Sequence, residues 1–449
     1  MTYGRAVVVG GGIGGLITAR VLSDHFAEVL LIDRDVIPAA PSVRAGIPQS
    51  SHFHALQSGG MEIMSDLIPE LEADLVAGGC ITPEADQFYV FTPQGKSYSL
   101  ATYQPVPMSP PPGWPKTHFQ SRGLLEHSIR KRIEAIPNIT THYETMVREP
   151  LVLNGKVTGV KISGSEEEIE ADLTIDATGR VSRTLGWLDK LGHSRPEESH
   201  VNCDFAYTSV FLKPDDPSSF TDAGFFMGAD PEGEYPKRGG ALIRVEGGIW
   251  LATVGGRLGD HPPADIDSLM EYAKTLIEPS FYDLISAATP VSEPHHFKFP
   301  KSIRRHYEKL EAFPDGLLPV ADAICHYNPV YGQGMSAASR QAVALGKLIE
   351  KRAEQNRNLD GLWQEFFPEA YEQTRAPWLF AALADFAQPG TTGDFPSEEQ
   401  TSVENIMKLT TLSGDGNQEA GLLMAMVFTM RDSLSAIHDK DRLAAIGIG

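Results

Sequence analysis

Three glycines and one aspartate near the amino end have the types and spacing of a nucleotide-binding loop. Gly10, Gly12 and Gly15 follow the pattern G-x-G-x-x-G, so side chains are missing where the chain turns, where a pyrophosphate approaches and where a helix packs on a strand. Asp33 lies where a carboxylate would accept hydrogen bonds from an adenosine ribose. These four residues predict a site for a nucleotide that contains adenosine and a pyrophosphate.

The residues around this loop indicate the elements that must position it. Val7–Val9 is a short apolar run typical of a buried strand, Leu16–Leu22 has the apolar spacing of a helix, and Val29–Ile32 is a second strand-like run. Glycine makes up 42 of the 449 residues, so the glycine spacing alone can arise by chance. The strand, helix and strand around it make the prediction specific.

A second glycine-rich loop, at positions 332–334, is predicted to open a helix. Leu317–Val320 predicts a strand that ends at Asp322, and Ser336 is the predicted N-cap of the helix that follows. The first backbone N–H groups of a helix lack partners within it, so such a loop presents donors and a positive dipole end to an anion or a carbonyl oxygen. The residues expected to face inward from this helix are Ala342, Leu345 and Ile349.

Helical and stranded patterns organise the rest of the chain. Helices are predicted around Ser58–Leu71, after the polar loop Arg44–Leu56, and over Ser121–Ile136. Strands are predicted as an antiparallel pair over Gln87–Leu100, a short strand over Leu173–Ile175 ending in the turn Thr178–Arg180, and a mostly stranded region over Val201–Val254. Beyond Lys351 we expect helix through Leu383, a looser stretch over Gln388–Gln418, and one closing helix.

Composition excludes several classes of protein. The chain has 59 acidic and 38 basic residues, a formal charge of −21, which argues against a surface that follows nucleic-acid phosphates. Cys80, Cys203 and Cys325 are widely spaced and predict neither a disulfide framework nor a metal knuckle. No apolar run is long enough to span a bilayer, so a cytoplasmic protein is expected.

Two segments leave alternatives open. The proline-rich stretch Pro105–Pro115 is expected to be a stiff surface connector, with a substrate lid as the alternative. The apolar segment Leu422–Met430 is expected to be a buried helix, with a weak peripheral contact to a membrane surface as the alternative.

Three motifs, in this order, resemble those of the single-component FAD-dependent monooxygenases, a superfamily with an aromatic hydroxylase-like fold. They are the N-terminal glycine motif with Asp33–Arg34, the turn DATGR at Asp176–Arg180, and the stretch Ala321–Met335. Within that superfamily, RAGIPQSSHFHAL from Arg44, IWLATVGGRLGDHPP from Ile249 and NPVYGQGMSAA from Asn328 are most similar to polyether-type flavin epoxidases and squalene-epoxidase relatives.

The resemblance implies an α/β fold with three parts. These are an FAD-binding Rossmann-like domain of the glutathione-reductase type, an interleaved antiparallel-sheet substrate domain and a helical C-terminal region. The implied boundaries are 1–75, 121–190 and 301–355 for the FAD-binding domain, 76–120 (strands and the Pro-rich loop) and 191–300 for the substrate domain, and 356–449 for the C-terminal region.

The resemblance also implies roles for single residues. Gly10, Gly12 and Gly15 would face the FAD pyrophosphate and Asp33 the ribose, while Arg34 and Val147 would flank the adenine. Arg44 and Arg122 would reach the phosphate or ribityl region, Asp322 a ribityl hydroxyl, and the N–H groups of Gly332–Ser336 the flavin pyrimidine. The full implied set is Gly10, Gly12, Ile13, Gly14, Gly15, Asp33, Arg34, Arg44, Arg122, Val147, Asp322, Gly332, Gln333, Gly334, Met335 and Ser336.

Two residues depart from the usual motifs of the superfamily. Ala321 stands where glycine is usual before Asp322, and Asp33 stands where glutamate is usual. We expect both to be tolerated, because alanine is the next smallest residue and aspartate keeps the carboxylate.

The activity implied by the resemblance is that of an oxidoreductase in natural-product biosynthesis. Reduced flavin would react with O2 to give a C4a-hydroperoxyflavin, which would epoxidise or hydroxylate an apolar alkene-containing or aromatic small molecule. The flavin carries this chemistry, so no catalytic side chain is assigned. NADPH, NADH or a partner flavin reductase would supply electrons, since no second G-x-G-x-x-G follows a strand. We expect a monomer or homodimer that binds neither nucleic acid nor a metal.

The predicted wall of the substrate pocket is aromatic, with core packing as the alternative for the same side chains. Its members are Phe205, Tyr207, Phe225, Phe226 and Tyr327.

Alternatives stay open for several polar side chains. His52 and His54 are expected to form hydrogen bonds within their loop, with proton handling as the alternative. His326 would either face the flavin or pack in the core, and Cys325 is a minor candidate for a covalent flavin link. His295–His296 lacks acidic or cysteine partners at ligand spacing, so a metal site there is not expected.

Other activities use the same cofactor motifs. A flavin reductase or desaturase acting on an isoprenoid is the alternative within the fold. A halogenase is disfavoured because the sequence has no W-x-W-x-I-P segment. A non-catalytic FAD-binding protein is the alternative from another class, and the NPVYGQGM loop argues against it, because donors aimed at the pyrimidine matter more for redox chemistry than for binding.

Overall fold

The computed structural model describes residues 2–44, 46–54, 56–84, 86–93, 95–97, 114 and 116–448. Apart from Trp114, the predicted proline-rich connector Pro105–Pro115 lies outside these residues. The strands are β1 (Tyr3–Val9), β2 (Phe26–Ile32), β3 (Phe88–Thr92), β4 (Gly95–Ser97), β5 (Ile139–His142), β6 (Val147–Leu153), β7 (Lys156–Ile162), β8 (Glu168–Glu170), β9 (Leu173–Asp176), β10 (Glu198–Asn202), β11 (Phe205–Pro214), β12 (Gly224–Met227), β13 (Arg238–Val245), β14 (Ile249–Arg257), β15 (Ala288–Pro290), β16 (His295–Phe299), β17 (Ser302–Arg305), β18 (Leu317–Pro319), β19 (Cys325–His326) and β20 (Thr392–Gly393).

The α-helices among the same residues connect and cover these strands. They are α1 (Ile13–Leu22), α2 (Ser58–Leu67), α3 (Leu71–Ala77), α4 (Arg122–Glu134), α5 (Thr184–Leu191), α6 (Ile266–Ala273), α7 (Pro279–Ser286), α8 (Gly334–Glu354), α9 (Leu362–Phe386), α10 (Gln400–Gly414), α11 (Gln418–Phe428) and α12 (Lys440–Ile446). Together with the strands they confirm the predicted mixed α/β class.

A parallel sheet places the predicted nucleotide loop at one edge. Its strand order is β18-β9-β1-β2-β5, and Val9 of β1 pairs with Ile32 of β2 and with Asp176 of β9. Because these parallel strands end level with one another, the residues that follow them meet at the same edge. Strands from widely separated parts of the chain therefore bring the three sequence motifs together.

The large sheet, here called the antiparallel sheet, is antiparallel apart from the parallel pair of β3 with β12, and it has two different faces. Its order is β15-β11-β14-β13-β12-β3-β4, with β16 also paired to β11. On one face, α6 and α7 cover an apolar core that contains Phe225, Trp250 and Phe281. Successive side chains of a strand point to opposite faces, so Phe226 points away from this core. The sheet therefore separates a packed interior from an open side.

Several predicted element bounds were wrong; the single closing helix, for example, is two helices, α11 and α12. The helix predicted over Ser58–Leu71 is two helices, because Pro69 interrupts it between α2 and α3. The stretch Gln388–Gln418 was predicted to be loose, yet it contains α10. Val403, Ile406 and Leu409 of α10 have helical spacing and are buried, while its threonines lie on the exposed side.

The C-terminal helices share a core of their own. Leu379 of α9, Leu409 of α10 and Leu423 of α11 are buried in one apolar cluster. The segment Leu422–Met430 thus belongs largely to a helix whose inner side is packed. None of the described helices combines the length and the apolar character that crossing a membrane requires.

The two faces of β12 predict different outcomes for neighbouring substitutions. Phe225→Ala should lower the free energy of unfolding by about 3–5 kcal/mol, because it empties a fully packed site. Phe226→Ala, the matched control one residue on, should cost less than about 2 kcal/mol because its side chain is half-buried on the open side. Denaturant unfolding of both variants checks this, and equal losses would contradict the assignment of faces.

Candidate functional site

A large cavity lies at the carboxyl edge of the parallel sheet and extends across the open face of the antiparallel sheet. Its volume is about 1460 Å³. One part, here called the glycine arm, is lined by the Gly10–Gly14 loop, Asp33, Val147, Asp322 and the start of α8. The other part, the apolar chamber, is lined by side chains of residues 205–257 and 380–428. The cavity is thus shared by the predicted nucleotide site and the predicted substrate wall.

The three glycines of the first loop serve different purposes. A Cβ on Gly15 would lie 1.8 Å from the Gly10 carbonyl oxygen, and one on Gly10, which has a φ of +108°, would lie 2.5 Å from the Ala177 carbonyl oxygen. A Cβ on Gly12 would meet, among the described atoms, only Ile47 at 3.5 Å. Gly10 and Gly15 therefore permit close packing, while Gly12 keeps the cavity wall free for an approaching ligand.

Asp33 joins the end of β2 to this loop. Its carboxylate accepts hydrogen bonds from the Gly11 N–H at 2.6 Å and the Asp35 N–H at 2.8 Å. Asp33 and Arg34 both line the glycine arm, and Val147 lines it from the start of β6. The structure therefore brings together the three residues predicted to meet a ribose and an adenine.

Behind the loop lies a buried cluster of arginines that the sequence reasoning largely missed. Arg44 donates to Glu126 at 2.7 Å, to Asp35 at 3.1 Å and to the Gly11 carbonyl at 3.1 Å. Arg130 also donates to the Gly11 carbonyl and to Glu126. The i,i+4 spacing of Arg122, Glu126 and Arg130 on α4 was the available signal.

The cluster corrects the role predicted for Arg44. Arg44 does not line the cavity, because its guanidinium is occupied by three acceptors behind the loop. Arg122 does line the cavity, where it contacts the Met335 sulfur at 2.8 Å. Arg44 therefore holds the Gly11 peptide, whereas the Arg122 side chain is at the cavity wall.

The DATGR turn is organised by one buried carboxylate. Asp176 accepts hydrogen bonds from the Thr178 N–H at 3.0 Å, the Ser182 hydroxyl at 2.6 Å and the Thr184 N–H at 2.9 Å. Gly179 has a φ of +78°, and Thr178 and Gly179 line the cavity beside Ala177. The aspartate thus shapes the turn, and the backbone of the turn forms the wall.

Ala321 and Asp322 form the opposite wall after β18. Ala321 has a φ of +56°, a left-handed conformation that favours glycine, which explains why glycine is usual at this position in the resembled motif. Asp322 lines the cavity, and burial raises the pKa of its carboxyl, while Arg180, Arg122 and Arg305 oppose that rise. The alanine is tolerated, but with backbone strain that its small size does not remove.

The second glycine loop opens α8, though not at the predicted residue. Gln333 is at the N-cap position, Gly332 has a φ of +66°, and α8 begins at Gly334. Ser336 lies inside the first turn with its hydroxyl buried and without a hydrogen-bond partner among the described residues, so the predicted Ser336 cap was wrong. Gln333 provides no side-chain cap either, so the first N–H groups of α8 stay available.

Not all of the implied cofactor residues reach the cavity. Gly15 and Ser336 lie in packed interiors, and the Gln333 side chain donates to the Phe428 carbonyl at 2.8 Å instead. The implied residues that do line the cavity are Gly10, Gly12, Ile13, Gly14, Asp33, Arg34, Arg122, Val147, Asp322, Gly332, Gly334 and Met335.

Four of the five aromatic residues predicted to form the pocket wall line the cavity. Phe205, Tyr207, Phe226 and Tyr327 line the cavity. Phe225 does not, because strand alternation turns it into the core beneath α7, so its assignment to the pocket was wrong.

The paired histidines have fixed hydrogen bonds. The Nδ1 of His54 lies 2.8 Å from the His52 carbonyl oxygen, which can only accept, so Nδ1 carries the proton and Nε2 is an acceptor. Burial and the neighbouring Arg122 lower the pKa of His54 to about 3, and His54 lines the cavity. His52 is bonded to the Ser209 hydroxyl at 2.8 Å. A neutral imidazole acceptor therefore stands beside Arg122.

His326 and Cys325 do not line the cavity, whereas their neighbour Tyr327 does. Burial raises the pKa of Cys325 to about 12 and lowers that of His326 to about 3. Both are therefore uncharged core residues, which removes the basis for a covalent flavin link at Cys325. Within the described residues, no group of three or more His, Cys, Asp or Glu side chains is arranged to hold a metal ion.

The C-terminal helices supply a wall of the apolar chamber that the sequence did not indicate. Phe380 and Leu383 of α9, Met407 of α10 and Phe428 of α11 line it. Met407 is 62% exposed, and Phe395, also on the cavity wall, is 46% exposed, so apolar side chains reach the surface at the chamber. The helical spacing on α10 was the signal, hidden by its serine and threonine content.

The sequence was compared with protein-family models and with known proteins. No protein-family model matches it. The chain is similar to Protein Rv3254 of Mycobacterium tuberculosis (strain ATCC 25618 / H37Rv), with 32% identity over 404 residues that cover 85% of this chain and 80% of that protein.

Solved structures share the fold along nearly the whole chain. They include a triple mutant of the flavin-dependent brominase Bmp2 (TM-score 0.63, 13% identity, 98% of this chain and 97% of that one). Two others are the tetrameric form of 2-methyl-3-hydroxypyridine-5-carboxylic acid oxygenase (0.63, 15%, 96% and 98%) and a flavoprotein/dehydrogenase from Cytophaga hutchinsonii (0.65, 14%, 95% and 92%). The predicted fold is confirmed, and at these identities the likeness concerns the fold alone.

The glycine loop predicts a separation of stability from binding. Gly15→Ala should lower the free energy of unfolding by about 3 kcal/mol or more, because its methyl overlaps the Gly10 carbonyl. Gly12→Ala should cost about 1 kcal/mol yet weaken binding of ADP, which has the adenosine and pyrophosphate of the predicted ligand, by about tenfold. Thermal unfolding and calorimetry check both, and a Gly12→Ala variant that binds ADP like the wild type would contradict the assigned wall.

The buried histidines predict a pH dependence of stability. His52 and His326 are buried, and their pKa values are lowered from 6.5 to about 3, so the unfolded chain binds more protons between these values. Stability is therefore complete above pH 6.5 and falls as the pH drops, by up to about 1.4 kcal/mol per pH unit for each histidine.

Replacing one histidine tests this linkage. His326→Gln should reduce the slope of unfolding free energy against pH below 6.5 by about 1.4 kcal/mol per unit. Urea unfolding at several pH values measures the slope, and the range above pH 7, where the two proteins should run parallel, is the control. An unchanged slope below pH 6.5 would show that His326 is protonated in the folded protein.

Proposed function

The chain belongs to the family of Protein Rv3254 from Mycobacterium tuberculosis, and from this premise we propose that it is an FAD-dependent monooxygenase. Its substrate would be an apolar alkene-containing or aromatic small molecule, which it would epoxidise or hydroxylate with O2. The observation that carries the proposal is the continuity of the cavity. The glycine arm has the features of a dinucleotide site, and it opens directly into a chamber lined by aromatic and aliphatic side chains.

The size of the cavity supports two ligands. Small-molecule sites usually have volumes of about 300–1,000 Å³. A cavity of about 1460 Å³ exceeds that range, so it has room for a large cofactor and for a separate substrate. Solved structures of the same fold include enzymes named as flavin-dependent.

The residues of the glycine arm fit FAD. Gly12 leaves space for a pyrophosphate, and α1 begins beside it without a side-chain cap, so its first N–H groups are free to bind phosphate oxygens. Asp33 would accept from the ribose, and Asp322, kept near three arginines, would meet the ribityl chain. The uncapped start of α8 would lie at the pyrimidine, where its positive dipole end favours negative charge.

When bound, FAD would supply two-electron redox chemistry and oxygen activation, with one oxygen atom entering the substrate and the other leaving as water. NADPH, NADH or a partner reductase would deliver the two electrons. Tyr207, Phe226 and the C-terminal helices line the chamber, and they would limit the access of water and orient the substrate along the sheet. His54 would accept a hydrogen bond through its neutral Nε2 next to Arg122.

The oxygen reaction of the loaded protein tests this function. We expect the purified protein to retain FAD after gel filtration. Anaerobically reduced protein mixed with oxygenated buffer should show an absorbing transient that is neither reduced nor oxidised flavin. Stopped-flow spectra measure the transient, and free FAD treated identically is the control.

Other outcomes point to other functions. Direct return to oxidised flavin with stoichiometric hydrogen peroxide would favour a dehydrogenase, reductase or desaturase. Failure to retain FAD, in a protein that unfolds cooperatively, would reject a flavoenzyme altogether.

A further inference from the structure

The charged side chains of the apolar chamber are of one sign. Among the described lining residues between 205 and 257 and between 380 and 428, the charged ones are Lys237 and Arg257. The carboxylates that line the cavity, Asp33, Asp35 and Asp322, belong to the glycine arm. A chain with a formal charge of −21 thus presents cations at its apolar chamber, and such a distribution favours an anionic ligand.

The two cationic side chains, Lys237 and Arg257, differ in their hydrogen-bond partners. Lys237 donates to the Leu258 carbonyl at 2.9 Å. Arg257, at the end of β14, has a side chain only 14% exposed, and its Nε finds no hydrogen-bond partner within the described part of the chain. Its guanidinium lies 5.5 Å from the centre of the Phe205 ring. Arg257 is therefore a largely desolvated cation at the cavity wall, and its buried Nε is an unused donor.

Among the described residues, the carboxylate that pairs with Arg257 is engaged elsewhere through one of its two oxygens, while the other, Asp385 Oδ2, is buried without a hydrogen-bond partner. Asp385 of α9 is fully buried, and its Oδ1 accepts from Asn328 Nδ2 at 2.9 Å and from the Tyr331 hydroxyl at 2.7 Å. The same oxygen lies 3.7 Å from the nearer guanidinium nitrogen of Arg257, beyond ordinary hydrogen-bond distance. Burial raises the pKa of Asp385, while Tyr331, Arg257 and Asn328 oppose that rise.

The contacts of Asp385 also define the position of Arg257. Asn328 and Tyr331 belong to the loop that leads into α8, and both line the cavity. Arg257 therefore lies where the antiparallel sheet, the C-terminal helices and this loop meet. A group bound there would leave the rest of a ligand to lie along Tyr207 and Phe226.

We propose that Arg257 binds an anionic oxygen group of the substrate, so that the substrate is an apolar molecule carrying a carboxylate or an ionised phenol or enol. The identification of this ligand as a substrate rests on the proposed function, whereas the binding of an anion at Arg257 does not. The Arg257 guanidinium lines the chamber and its pairing with Asp385 is loose, so an anion bound there would gain charge-assisted hydrogen bonds in a low-dielectric surrounding. Arg257 would thereby set specificity and orientation.

Matched ligand pairs test the inference by calorimetry on the purified protein, measured both as isolated and with FAD added in excess. The carboxylate pair is 2-naphthoate and 2-naphthamide, and the phenolate pair is 4-nitrophenolate and 4-nitroanisole. We expect the anion of at least one pair to bind about tenfold more tightly than its neutral partner. The pair that shows the preference identifies the anionic group, and equal affinities within both pairs would overturn the inference.

Substitutions then locate the effect. Arg257→Gln should bring the anion and its neutral partner to within about twofold of each other, while Arg257→Lys should keep part of the preference. Lys213→Gln removes the same charge from an exposed position on β11 and should leave the preference intact. A preference that survives Arg257→Gln and disappears in Lys237→Gln would assign the role to the lysine and reject Arg257.

The controls separate this inference from the proposed function. Thermal unfolding shows whether each variant folds. If Arg257→Gln does not fold, the comparison of matched ligands on the wild-type protein still tests whether the anion is preferred. FAD retention with an oxygen transient but no anion preference would reject only the role of Arg257. Anion preference without FAD retention or an oxygen transient would reject the monooxygenase and keep the anion site.

Discussion

The close contact between Gly15 and the Gly10 carbonyl is the constraint on which the rest of the structure depends. With 1.8 Å between a Cβ at position 15 and that oxygen, α1 can begin directly above β1 only if this residue has no side chain. The same absence at Gly10 lets the turn after β9 approach. Three segments distant in sequence thus reach one edge, and the free N–H groups at the start of α1 face a shared cavity.

Charged side chains then hold that edge in place from behind. The Gly11 peptide donates to Asp33 and accepts from Arg44 and Arg130, so both of its polar groups are satisfied inside the protein. Glu126 of α4 accepts hydrogen bonds from both arginines. The loop therefore keeps its shape through its own buried partners, and the cavity side of the loop remains available for a ligand.

A second buried carboxylate links the outer parts of the molecule to this edge. Asp385 connects α9 to Asn328 and Tyr331 of the loop before α8, and it lies near Arg257 of the antiparallel sheet. The helical C-terminal region is thus part of the cavity wall. A displacement of α9 would alter the loop and the apolar chamber together, which ties the two halves of the proposed active site.

The sequence alone determined the strand–glycine–helix unit, the α/β class and the order of the motifs, because these depend on local spacing and on the absence of side chains at Gly10 and Gly15. Only the tertiary structure decided which side chains face the cavity. It turned Phe225 into the core and Phe226 outward, placed Arg44 behind the loop, and moved the start of α8 ahead of Ser336. It also revealed the wall formed by α10 and the cation at Arg257. The face that a side chain presents and the partners that it meets depend on contacts between segments tens to hundreds of residues apart, and local patterns in one sequence do not specify those contacts.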